Sequence, residues 1–343
     1  MVAVADIDPS IAERSDRRGA TADLGAGVYQ QGSPTSPSQI GGADESVVPG
    51  ADNDGVIVSC AHPPSVAQLT TRLPVGPNEA CSVLLVPQDR HLDRLRAPDI
   101  SRLITERSVL LMPLGAIEQH GPHLPFNTDL VIAQAVAEGA VDAVGDEHDV
   151  WLLPPLAYTK SNEHAWSAGT FWMSAETMMR VVDDIGRSIA KMPVKKIVFL
   201  NGHGGNSSLM NMMNRELRLK HGLISFLTHP GVPPDQGGQS PPSELGMGVH
   251  GGTDETSIML HLAPELVDMS VAQRRVPEHI ADNRYVRFGG KVAFSWMSND
   301  FHDDGYIGDP TPATAELGNQ LFEGAVRGLA EALGEVAAFT YRP

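Results

Sequence analysis

Four short apolar runs, each followed by a break and then by a helical pattern, restrict what this chain can fold into. Ser108–Leu114 (SVLLMPL) stops at Gly115, as a buried strand does. Val150–Leu153, Lys196–Leu200 (KIVFL) and Leu223–Leu227 read as three more strands. Between them the apolar spacing turns helical. Thr128 and Asp129 can cap a helix through Val131, Ala135 and Val136. Ser174 can cap one whose apolar face is Met178, Val181, Val182, Ile185 and Ile189. A third helix carries Leu209, Met212, Met213 and Leu217. Pro312 is expected to open a last helix through Leu317, Leu321, Ala325, Leu329 and Leu333. Alternation of this kind implies an α/β fold with a mostly parallel sheet covered on both faces. Sites in such folds gather at the carboxyl ends of strands.

Residues 1–85 differ from the rest. They are rich in Gly, Pro, Ser and Asp, and Tyr29 is their only aromatic residue. Too little apolar surface is available there to offset the entropy of ordering. This stretch is expected to be a disordered or loosely docked extension, with a globular domain over residues 90–343. Two runs within it, Val56–Cys60 and Ser82–Val86, have the composition of short strands.

Charge and cysteine usage exclude several classes. The formal net charge of −17 disfavours binding to nucleic acid or to an anionic membrane surface. Cys60 and Cys81 are the only cysteines, too few for a disulfide scaffold in 343 residues. No apolar run approaches the length of a membrane span, and the N-terminal stretch lacks the basic start and apolar core of a secretory signal. A cytoplasmic location is the default expectation.

Several segments carry ligand-type side chains in suggestive places. GAIEQHGPHLPFNTD (residues 115–129) follows the first strand directly. Glu118 and His120 are one residue apart, so an extended backbone points both the same way. With Asp129 they offer the N and O donors that Zn²⁺ or Mn²⁺ prefers. NGHGGN (201–206) follows the third strand, and its glycines let backbone near His203 approach an ion or substrate closely. HGGTDETS (250–257) places His250 five residues before Glu255; read alone, it is also an ordinary acidic helix start. NEHAWSAGT (162–170) offers His164 and Trp166 as pocket-lining groups, though a partly buried loop explains them equally well. In NDFHDD (299–304), His302 and Asp304 are weaker metal candidates.

Taken together and in this order, GAIEQHGPHLPFNTD, NEHAWSAGT, NGHGGN, HGGTDETS and GDPTPAT resemble the creatininase (creatinine amidohydrolase) family over roughly residues 91–340. The resemblance implies a three-layer α/β/α sandwich and hydrolysis of an amide-type C–N bond, often cyclic, in a small molecule. It implies two divalent ions per subunit, Zn²⁺ and/or Mn²⁺ with Fe²⁺ also admissible, and a homo-oligomer, commonly a hexamer. The family's metal ligands fall on Glu118, His120, Asp129 and His203, with Asp129 bridging the ions. Its proton-transfer histidine falls on His250. Creatininase proper has a Glu ligand where this chain has Gly205, so the missing ligand is assigned to Glu255, a residue of both the metal site and the catalytic set. A substrate-closing Trp of creatininase is replaced by Gly246-Met247-Gly248. Both departures point away from creatinine, towards relatives that process the mycofactocin precursor peptide or remove a formyl group from a pyrimidine intermediate.

On that reading, ions sharing Asp129 activate water, His250 hands a proton to the leaving nitrogen, and backbone N–H groups of Gly204, Gly205 or Gly251 contact the oxyanion. Trp166, Phe171 and Trp172 favour a closed pocket over an open groove. The rival readings are a metallopeptidase of the same fold that trims a small peptide, a formamide deformylase, and a non-catalytic, metal-stabilised assembly protein.

Overall fold

A computed structural model describes residues 89–231 and 241–342. The expected strands Val56–Cys60 and Ser82–Val86, and the extension that contains them, lie outside the described residues.

Within the described residues the sheet has four parallel strands in the order β2-β1-β3-β4, with β1 at Val109–Leu114, β2 at Val150–Leu152, β3 at Lys196–Asn201 and β4 at Ile224–Thr228. The register pairs Val109 with both Val150 and Lys196, and Lys196 with Ile224. All four expected strands are present. Every residue of β1 is buried, which explains why its sequence is a continuous apolar run rather than an alternating one.

The helices are α1 (Ala97–Leu103), α2 (Thr128–His148), α3 (Ala175–Ile189), α4 (Ser207–His221), α5 (Thr253–Leu262), α6 (Glu278–Ala281) and α7 (Ala315–Ala338). Successive strand residues face opposite ways, and the two faces have separate cores. Leu110, Met112, Leu114, Ile197 and Phe199 pack on Met178 and Val182 of α3 and on Met210, Met213 and Leu217 of α4. Val109, Leu111, Val198 and Leu200 pack on Val136 and Ala140 of α2 and on Leu329 and Leu333 of α7. This is the three-layer arrangement expected. A third core of Ile132, Ile258, Met259 and Leu321 joins α2, α5 and α7, so the helix that carries Glu255 is fastened to the helix that carries Asp129.

Two helix starts differ in detail from expectation. Ser174 caps α3 as expected, its Oγ accepting from the Thr177 N–H at 3.2 Å. α2 instead begins after Asn127, with no side-chain cap; the Thr128 hydroxyl donates to the Pro125 carbonyl, and Asp129 is turned into the site. α7 begins at Ala315 rather than near Pro312. Thr314 is the better cap, because its Oγ1 accepts from the Leu317 N–H at 3.1 Å, and Pro312 lies in the preceding turn.

Candidate metal centre

The carboxyl ends of β1 and β3 carry most of the ligand-type side chains. β1 runs into Gly115, and the loop beyond it closes when the Glu118 N–H donates to the Phe126 carbonyl at 2.9 Å. That closure returns the chain to the start of α2 and sets Asp129 beside Glu118 and His120. At the end of β3, Asn201 brackets His203: its Nδ2 donates to the His203 carbonyl at 2.7 Å and its Oδ1 accepts the His203 N–H at 3.3 Å. Gly202 is required between them. A Cβ there would lie 2.7 Å from the Asp129 carbonyl oxygen.

The other wall comes from residues 241–314. His250 forms a two-residue bridge with Ile307, exchanging backbone hydrogen bonds of 3.0 and 2.8 Å. Glu255 occupies the first turn of α5, where its Oε2 accepts the Gly251 N–H at 2.6 Å.

The five expected ligands converge. His120 Nε2 is 3.0 Å from Asp129 Oδ1. His203 Nδ1 is 3.2 Å from both Glu118 Oε1 and Asp129 Oδ2. Three sets of donor atoms lie within 4.8 Å of one another: Glu118 with Asp129 and His203, His120 with Asp129 and Glu255, and Glu118 with His120 and His250. Asp129 belongs to the first two. Glu118, His120, Asp129, His203 and His250 are all buried; Glu255 is half-buried.

Electrostatics fit a cation here. Burial alone would lower the His120 pKa, but the Asp129 carboxylate reverses it and raises it to about 9. His203 is likewise raised despite burial, chiefly by Glu118. Asp129 is held below the usual carboxylate range: burial would raise it, and the adjoining His120 charge outweighs that. Burial pushes Glu255 up to about 7. Glu118 Oε1 and Asp129 Oδ2 are buried carboxylate oxygens with no hydrogen-bond partner among the described residues. Clustered carboxylates and imidazoles with unpaired inward oxygens are the donor chemistry a divalent N/O-binding ion requires.

A cavity of about 70 Å³ opens on this cluster, lined by Glu118, Asp129, Glu163, His164, His203, Gly204, Gly205, His250, Glu255 and Trp296, among others. His164, Gly204 and Gly205 thus lie where the sequence suggested. Trp166 does not line it: the Trp166 indole N–H donates to Ser298 Oγ at 2.7 Å and its ring packs on Gly305. The aromatic lining residue is Trp296. Phe171 and Trp172 are exposed, at 62% and 46%, and enclose nothing. Gly251 also departs from expectation, because its N–H is taken by Glu255 and is not offered to an oxyanion. Asp304 is engaged by Arg275 at 2.9 and 3.0 Å, and His302 is 39% exposed beside it, so neither joins the cluster.

Four contributors escaped the sequence reading. Ser161 donates to Glu118 Oε2. Glu163 Oε1 is 3.2 Å from His203 Nε2, and its other oxygen accepts from Lys160 Nζ at 2.7 Å. A Cβ on Gly205 would collide with Glu163 Oε1 and His203 Nε2, so glycine at 205 makes room for that carboxylate. Gln119 and Trp296 complete the list. An acidic residue directly before a candidate histidine was an available signal for Glu163; Trp296 lies in a segment with no motif.

This is the constellation of a metal-dependent hydrolase on an α/β/α scaffold. The family model described as creatinine amidohydrolase matches residues 93–333, and the chain belongs to the creatininase family. It is 35% identical to the mycofactocin precursor peptide peptidase of Mycolicibacterium smegmatis over 227 residues, 65% of this chain and 83% of that protein. It is 28% identical to the creatinine amidohydrolase of Pseudomonas putida over 251 residues, 68% of this chain and 92% of that protein. A crystal structure of creatinine amidohydrolase superposes with a TM-score of 0.59 at 25% identity, covering 74% of this chain and all of the other. A manganese form of creatininase gives 0.57 at 25% identity over 72% and 98%. The chain is therefore a hydrolase of the creatininase family. Among the described residues no helix is long and apolar enough to cross a membrane.

Proposed function

We propose that the chain binds two divalent ions, one held by Glu118, Asp129 and His203 and the other by His120, Asp129 and Glu255, and hydrolyses an amide-type C–N bond. The observation that carries this reading is the sharing of Asp129 between two donor sets, buried except for the half-buried Glu255. When bound, such ions supply Lewis-acid chemistry, lowering the pKa of water and polarising a carbonyl. The chain's own groups do the rest. His250 is held neutral by burial, well below the ordinary imidazole range, and its Nδ1 faces Glu118 Oε1 at 3.6 Å. From there its Nδ1 lone pair takes a proton from the attacking water and passes it to the departing nitrogen, a role that typically contributes about 10²–10⁴-fold. Gly204, with open space where a side chain would stand, lets substrate approach the backbone, and Trp296 supplies an apolar wall.

A cavity of about 70 Å³ favours a small amide or the end of a chain over an extended polymer. The second reading, trimming of a short peptide, is supported by the 35% identity to a mycofactocin precursor peptide peptidase. A panel of cyclic amides, formamides and short peptides under Zn²⁺ or Mn²⁺ separates the two. The family resemblance also supports a homo-oligomer of six subunits, and light scattering tests the subunit number. Asp129→Ala is expected to lose bound metal and at least about a thousandfold in kcat/KM, equivalent to about 4 kcal/mol. Full metal occupancy with unchanged turnover would refute the shared-carboxylate centre.

A further inference from the structure

Four histidines approach Glu118 Oε1, with ring nitrogens at 3.2 Å (His203), 3.4 Å (His164), 3.6 Å (His250) and 4.0 Å (His120). In each ring the opposite nitrogen is held by a neighbour, and that neighbour sets where the ring proton sits. Three of the neighbours are oxygens that only accept. His120 Nδ1 lies 3.1 Å from the Glu118 carbonyl. His203 Nε2 lies 3.1 Å from the Lys160 carbonyl. His250 Nε2 lies 2.6 Å from the Gln119 carbonyl. Each of these outer nitrogens must donate, which in a neutral ring leaves the inner nitrogen as a lone pair.

His164 is the exception. Its outer nitrogen, Nδ1, lies 3.0 Å from Gln119 Nε2. The orientation of that amide is fixed at both ends: Gln119 Oε1 accepts the Gly121 N–H at 2.8 Å, and Nε2 donates to the Gly305 carbonyl at 2.5 Å. A flipped amide would oppose donor to donor at Gly121 and acceptor to acceptor at Gly305. Nε2 is therefore the donor to His164, and His164 Nδ1 must accept. The ring proton of His164 is left on Nε2, the atom that faces Glu118 and the cavity.

We propose that Gln119 is a positioning residue that gives the facing rings of His164 and His250 opposite polarity, using its side-chain amide on the first and its main-chain carbonyl on the second. The ring centroids are 4.2 Å apart, so the cavity meets an imidazole N–H from His164 next to an imidazole lone pair from His250. One ring donates to an acceptor oxygen of a bound amide, and the other receives a proton. The assignment rests on the hydrolase reading for its purpose but not for its geometry.

The test is the position of the ring protons in the full chain labelled with [¹⁵N]histidine, read from long-range ¹H–¹⁵N correlations at pH 8. Signals are assigned by their loss in His164→Gln and His250→Gln. Both rings are expected to be neutral with the proton on Nε2. In Gln119→Met the His164 ring loses its donor and becomes a tautomer mixture, so its two nitrogen signals move towards each other. The His250 ring keeps its proton on Nε2, because its acceptor is the Gln119 main-chain carbonyl; Gln119 Nε2 also lies 3.3 Å from that atom, but as a donor facing an N–H it sets no tautomer there. A His164 proton on Nδ1 in the unsubstituted protein overturns the proposal, and so does a His164 ring unchanged in Gln119→Met. Should Gln119→Met not fold, the spectrum of the unsubstituted protein still decides. The measurement needs no turnover, so an inactive chain with these tautomers would count against the hydrolase reading and leave the Gln119 assignment standing.

Discussion

The two walls of the cavity are built on different terms. One wall, from residues 109–206, comes from the ends of two adjacent buried strands, where the sheet fixes the spacing of Glu118, Asp129 and His203. The other wall, from residues 241–314, has α5, of ten residues, the four-residue α6 and a series of short turns. Regular pairing holds the first wall, and a single buried carboxylate does much of the same work in the second. Glu244 Oε1 accepts the N–H of Thr253 at the start of α5 and the N–H of Asp309 in the last loop, both at 2.9 Å. Gly248, Gly252 and Gly308 lie against the same carboxylate. Four of the five candidate donors ride on the sheet side, while Glu255 and the proton-transfer residue His250 ride on a segment held by the Glu244 carboxylate and by the backbone bridge of His250 to Ile307.

Removing the Glu244 carboxylate should cost more than loosening the sheet-side bracket. Glu244→Ala leaves two buried N–H groups without acceptors and is expected to destabilise the chain by about 2–4 kcal/mol, read from urea unfolding. Asn201→Ala, which removes the bracket around His203, is expected to cost about 1–2 kcal/mol in the same assay. Equal losses would erase the distinction.

His123 joins the two walls, and its titration offers a second probe. Its Nε2 lies 3.1 Å from the Gly251 carbonyl and 3.2 Å from Thr256 Oγ1, and burial pushes its pKa down to about 4. The unfolded chain takes up a proton near pH 6.5, while the folded chain holds the ring neutral. Stability from this residue is complete above pH 6.5 and is lost as the pH falls towards 4. By pH 5 the loss is about 2 kcal/mol. Comparing urea midpoints at pH 7 and pH 5, the fall should be shallower in His123→Asn.

The smallest expected effect falls on the sheet-side wall. Glu163→Gln keeps the shape beside His203 Nε2 but removes the charge, and Zn²⁺ or Mn²⁺ affinity should weaken about tenfold by competition with a chelator. An unchanged dissociation constant would mean that the Lys160 carbonyl alone orients His203.

The same division governs what could be read from the sequence. The strands were legible because residues such as Leu110, Leu111, Ile197 and Val198 are apolar on both faces of a covered sheet. The convergence of Glu118, His120, Asp129, His203 and Glu255 was legible because three motifs sit at strand ends or at a helix start. The second wall was largely illegible. Trp296 reaches the cavity through a turn that no periodicity marks, while Trp166, in a motif, is tied to Ser298 instead. Alternation assigns Gln119 to the face opposite Glu118 and His120, where the motif carries no ligand-type side chain. It does point elsewhere, towards His164 and Gly305, and that is where its use lies. α7 starts at Ala315 and not near Pro312 because Thr314, whose hydroxyl accepts the Leu317 N–H, outcompetes proline as the terminus signal.

The close approach of Glu163 to Gly205 has a bearing on how such sites diverge. The two positions compete for one volume, so a side chain at 205 and an acidic group at 163 in its present pose exclude each other. A side chain at 205 displaces the tip of Glu163, and loss of Glu163 removes the charge beside His203, so moving the charge between the two positions carries a cost at either single step. Positions 163 and 205 are therefore expected to vary together.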